Sequence, residues 1–103
     1  MTRGTGNDAN PRDGDRVRIA VDIVAGTVAD IRVISSGCAA ALRAGDTLQR
    51  LARGRTTEEA REIGVPQLAR AMGGVDAEDE RCVLTAIGAL RAAVLDAHVR
   101  GTV

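Results

Sequence analysis

The chain has 103 residues, 45% of them hydrophobic, which suffices for the core of one small domain and argues against two. Fourteen basic side chains balance fourteen acidic ones, so no net field is available to hold nucleic acid or an anionic membrane. Phe, Tyr and Trp are all absent, which removes the stacking platforms of single-strand nucleic-acid binders and leaves the core to Val, Ile, Leu, Ala and Met.

Residues 1–12 are rich in Gly, Asn and Pro and nearly free of apolar side chains, a composition that predicts a flexible arm ahead of a single domain over 13–103. From Arg16 the pattern alternates, with Val17, Ile19, Val21 and Ile23 on one side, which predicts a half-buried strand over about 16–24. Ala25-Gly26-Thr27 makes a turn into a second β-branched run over about 28–35, so the two strands pair as an antiparallel hairpin. Beyond Gly37 the period becomes helical. Ala41, Leu48, Leu51 and Ala52 share a face of a helix over about 38–53, Gly54 suits its C-terminal cap, and Gly45 inside it costs about 1 kcal/mol relative to Ala. Thr56 and Glu59 form a capping box for a short helix over about 57–63, and Pro66 opens another over about 66–72 that Gly73-Gly74 stops. Asp76 is the expected cap of a long helix over about 77–98, buried along Val83, Ile87, Leu90 and Val94. Two strands followed by helices read as α+β, a small antiparallel sheet covered on one face by helices.

No uninterrupted apolar run approaches the ~20 residues that span a bilayer, and the start MTRGTGNDANPRDGD lacks the hydrophobic segment of a signal peptide; the expected location is cytoplasmic. A reducing compartment disfavours a structural disulfide between Cys38 and Cys82. Both cysteines fall at predicted helix starts, where free N–H groups and the macrodipole favour a thiolate. Their wide separation matches no compact zinc motif, and a free cysteine is also among the most buried residue types, so ligand and packing both remain open on spacing alone. His98 is placed roughly 24 Å along the last helix from Cys82, too far to join one site. Asp13 and Asp15, flanking Gly14 at the mouth of the first strand, are the carboxylate candidates. Ser35 and Ser36 have no neighbouring base and read as strand-end caps. Arg50, Arg53 and Arg55 suit a helix C-terminus, and DAEDE at 76–80 suits a helix start.

Four blocks, in order, resemble the NifU/IscU-type iron–sulfur cluster assembly scaffolds from Asp13 to about Ala97. DGDRVRIAVDI resembles the family's CGD and the strand after it, and SSGCAAAL its GC turn into a helix. RLARGRTTEEAREI resembles the linker into the second helix, and MGGVDAEDERCVLTAIGALRAAV the segment carrying the third cysteine. The resemblance implies a non-enzymatic scaffold on which a [2Fe–2S] cluster is built, with sulfur from a cysteine desulfurase, for transfer to apo iron–sulfur client proteins. Matched by position, Cys38 and Cys82 stand at the second and third cysteines, and Asp15 at the aspartate. Asp13 stands where the family has its first cysteine, and Arg81 where it usually has histidine; the family's N-terminal segment, which helps contact the desulfurase, reads as shortened.

An Asp2Cys2 donor set of Asp13, Asp15, Cys38 and Cys82 holds iron less tightly than thiolates alone, so the expected cluster is labile, and the same set is chemically sensible for zinc. Three readings therefore follow from the resemblance: a cluster scaffold, a zinc-binding sulfur carrier, and a degenerate interaction module that binds the desulfurase without a cluster. None involves nucleic acid or a membrane.

Overall fold

A computed structural model describes residues 1–12 and 14–101. Strands β1 (Thr2–Asn10), β2 (Asp15–Val24) and β3 (Thr27–Ser36) form an antiparallel meander in the order β1-β2-β3. Helices α1 (Ala39–Ala52), α2 (Thr57–Glu62) and α3 (Val65–Ala71) follow; a 3-10 turn over Ala77–Asp79 then leads into the long α4 (Glu80–Gly101). The α+β architecture expected from the sequence is the one observed. The β2–β3 turn has two residues, Ala25 at φ 50° and Gly26 at φ 75°, the primed geometry that matches strand twist.

The N-terminal expectation is corrected: residues 2–10, read from composition as a flexible arm, pair along their whole length with β2, from Thr2 opposite Ile23 to Asn10 opposite Asp15. The reason lies in Gly4 and Gly6, the inward residues opposite Val21 and Ile19. A Cβ on either would run into the backbone of α4, at Ala93 and Ala97 for Gly4 and at Ala89 and Ala93 for Gly6. The strand therefore buries backbone against a helix instead of apolar side chains. Its free edge is tied down where the Thr5 N–H donates to Asp96 on α4 at 2.8 Å, which blunts an otherwise open template for strand pairing.

Val17, Ile19 and Val21 of β2 and Val28 and Ile31 of β3 point inward to Leu48, Leu68, Ile87, Leu90 and Val94 on the helices, all essentially fully buried. The opposite face of the sheet is polar, with Arg3 paired to Asp22 at 2.8 Å and Arg18 to Asn7 at 3.1 Å. Ala77–Gly101 is long and apolar enough by length and composition to cross a bilayer, yet it is mostly buried in this fold, which is how the core helix of a small domain passes the same test.

Local signals read from the sequence fare unevenly. The Thr56–Glu59 capping box is present in both directions. Arg55 donates to the Leu51 carbonyl in the last turn of α1, and Arg53 to Asp30 and to the Ile31 carbonyl. Asp76 does not cap α4: it precedes the 3-10 turn and makes no side-chain cap bond. Ser35 is no cap either, since its buried Oγ has no hydrogen-bond partner among the described residues and lies against Gly45 instead. A Cβ at Gly45 would collide with that hydroxyl and press on Val33, so the helix-interior glycine lets α1 pack closely on β3.

Candidate metal centre

One end of the sheet collects the start of β2, the end of β3 and the first turn of α4. Asp15 is the first inward residue of β2 and is 0% exposed. Gly37 takes φ 126°, which turns the chain out of β3; an added Cβ there would sit 2.8 Å from Asp15 Cα, so only glycine lets the two segments meet. Cys38 follows as the residue capping α1, and Cys82 lies in the first turn of α4, 1% exposed and packed on Ala40 and Ala41.

These three side chains converge. Cys82 Sγ lies 2.8 Å from Asp15 Oδ2, Cys38 Sγ 3.8 Å from the same oxygen, and the two sulfurs are 3.2 Å apart. The Cys38 backbone N–H donates to Asp15 Oδ1 at 2.9 Å. Both thiols are free, with Cys38 partly exposed at the mouth and Cys82 beneath it. One ligand atom from each residue falls within 4.8 Å of the others.

Burial penalises the Asp15 carboxylate, but hydrogen bonds from Cys82, from the Cys38 N–H and thiol, and from the Asn10 side chain outweigh it and hold the carboxyl below its ordinary range. Cys82 moves the other way. Burial first, then its hydrogen bond to Asp15, push its thiol far above the ordinary value. The sequence-based expectation that a helix start favours a thiolate is thus reversed at Cys82, because desolvation and an adjacent carboxylate exceed the dipole. A cation would remove that obstacle, since it neutralises the charge that burial opposes.

The donor set fits such an ion. Tetrahedral bonds of 2.3 Å to sulfur and about 2.0 Å to oxygen place donors roughly 3.5–3.8 Å apart, so these atoms need move by well under an ångström once the thiol protons leave. Asp13, the fourth sequence-based candidate, lies outside the described residues. His98 is exposed near the end of α4, and Arg81 is exposed beside Cys82. Asn10, which the sequence reading left in the arm, borders the site: it is 7% exposed, pairs across the ladder with Asp15 and helps to hold that carboxyl low. The sequence carries no distinct signal for it, since Asn-Pro in a polar run also reads as loop.

This constellation sits on a shared fold. The family model described as the NifU-like N terminal domain matches residues 1–102. The chain belongs to the NifU-like N-terminal domain family. Two curated relatives from Archaeoglobus fulgidus, the iron-sulfur cluster assembly scaffold proteins IscU 1 and IscU 2, are each 34% identical over 93 residues, 90% of this chain. The chain spans 61% of the length of each. The crystal structure of the N-terminal part of a NifU-like protein from Brucella abortus superposes with a TM-score of 0.76 at 16% identity, covering 93% of this chain and 79% of that one. A SUF-system scaffold structure from Fervidobacterium islandicum AW-1 gives a TM-score of 0.71 at 17% identity, over 90% of this chain and 81% of that one. These structural likenesses establish the NifU-like fold.

Proposed function

We propose that this NifU-like chain is an iron–sulfur cluster assembly scaffold, a carrier and not a catalyst, with Asp15, Cys38 and Cys82 as ligands and Asp13 as the fourth. The observation that carries the reading is the convergence of two thiols and a carboxylate within 4.8 Å on the fold of this family. The cluster is cargo here. Iron and sulfur arrive, the sulfur from a cysteine desulfurase in the cytoplasm, and a [2Fe–2S] unit leaves for apo client proteins. A carboxylate in place of the first thiolate gives a harder, more weakly held iron site, which suits transient occupancy. Partly exposed Cys38 is the side chain that incoming sulfur or a client reaches first, while buried Cys82 and Asp15 form the floor.

The mixed sulfur and oxygen donor set favours a second reading, a zinc-loaded sulfur carrier using the same residues. Anaerobic reconstitution with ferrous iron and sulfide separates the two. A visible-absorbing protein whose colour is lost in Cys38→Ser and in Cys82→Ser is expected for the scaffold. Stoichiometric zinc uptake without colour favours the carrier, and a colourless chain that also takes up no zinc overturns both.

A further inference from the structure

We propose that Asn10 is a positioning residue of this centre, a neutral amide that fixes the Asp15 carboxylate independently of either thiol. The inference rests on the reading of the centre as a metal-binding site. Asn10 and Asp15 are register partners, the last pair of the β1–β2 ladder before the chain turns back at Pro11 and Gly14. Their side chains share the inward face, directly opposite across the ladder with Asn10 7% and Asp15 0% exposed, so the amide is the buried cross-strand neighbour of the carboxylate and helps to hold it ionised. The residue before a proline is confined to extended backbone, so Pro11 holds Asn10 in the strand geometry that the contact needs.

The role follows from which contacts persist when an ion enters. Asp15 Oδ2 accepts from Cys82 and Cys38 only while those thiols carry protons, and both bonds vanish when the sulfurs ligate as thiolates. The Cys38 N–H on Oδ1 remains, but it moves with Cys38, itself a ligand. Among the described residues, Asn10 is the neighbour that ties the carboxylate to a different element, β1, and so fixes its rotation while the thiols shift. The amide suits the place chemically. It donates without neutralising Asp15, as an arginine would, and it does not compete for the ion, as a second carboxylate, histidine or thiol would.

Cobalt(II) titrated anaerobically into the reduced full-length chain reports each donor separately, through thiolate-to-cobalt charge transfer in the near ultraviolet and d–d bands in the visible. The wild type is expected to show both. Asn10→Ala keeps the charge transfer per bound ion, because both thiolates are intact, but binds on the order of 10–100-fold more weakly and shifts its d–d bands. Asn10→Ser, which restores a donor, recovers part of both. Wild-type affinity and d–d bands in Asn10→Ala overturn the proposal and leave the centre standing; a wild type without charge transfer overturns the centre and the proposal with it. If the variants do not fold, the Asn10 side-chain amide of the wild type decides by NMR. Its protons are expected to exchange slowly in the metal-free and the zinc-loaded chain, and exchange as fast as in free asparagine overturns the proposal.

Discussion

Asp15 and Cys82 meet at 2.8 Å, and each shifts the other's proton affinity in the direction that keeps the proton on sulfur. The chain contains no lysine and no tyrosine, so all fourteen of its basic side chains are arginine and cysteine is its only side-chain type whose ordinary pKa lies between about 8 and 12. The unfolded chain releases the Cys82 proton near pH 8.5, whereas the folded chain retains it well beyond. The folded state then binds the extra proton, so the contribution of Cys82 is complete below about pH 8.5 and is lost on raising pH, at up to about 1.4 kcal/mol per pH unit. Urea melts of the reduced, metal-free chain between pH 8 and 11 should show that decline, with Cys82→Ala flattening it and Cys38→Ala leaving most of it; a wild type equally stable across the range contradicts the assignment. Cys38, Cys82 and Asp15 were candidates by their positions at helix starts and beside a glycine, but spacing alone left both thiols open between ligand and packing, and only the resemblance of the surrounding blocks joined the three into one set. Asn10 was not legible, because an asparagine before proline in a polar run reads equally well as loop.

At the scale of elements, the hairpin and the four helices carried their own signals, period two in β2 and period 3.6 in α1 and α4, and their observed bounds lie within three residues of those read from the sequence. Strand β1 carried none, since its buried inward positions are Gly4, Gly6 and Asn10, whose burial leaves no hydrophobic trace. That concealment has an energetic consequence. Gly4 and Gly6 are absent from the positive-φ glycines, so in an open strand Gly→Ala would stabilise by about 0.4–1 kcal/mol through the unfolded state. Here the sign inverts, because the methyl group would meet the α4 backbone, which cannot swing aside as a side chain does. Gly6→Ala is therefore expected to cost about 1–3 kcal/mol and to loosen the β1–α4 contact that carries Asn10. Denaturant melts give the first, and faster amide exchange at Thr5 the second. An alanine variant as stable as the wild type would mean that β1 is not clamped as its glycines indicate.

For the whole molecule, the centre joins segments that no local interaction holds together: Asp15 comes from the sheet, Cys38 from the turn after β3, and Cys82 from the helix that also covers β1. In the unfolded chain these donors are far apart, with Cys38 and Cys82 separated by 44 positions, so an ion bridging them binds the folded state far better than the unfolded one. Such differential binding appears directly as stability. At a free zinc concentration one hundred times Kd the gain is about 2.7 kcal/mol, which for a domain near 100 residues raises Tm by roughly 10–20 °C. Cys38→Ser and Cys82→Ser should each abolish most of the shift, because each leaves a single thiolate, and a chelator should reverse it in the wild type. Asp15→Asn distinguishes coordination by the full set from adventitious binding to a pair of thiols. If the carboxylate is a ligand, its amide variant retains a smaller zinc-dependent shift at the same concentration, whereas a shift equal to that of the wild type would remove Asp15 from the centre.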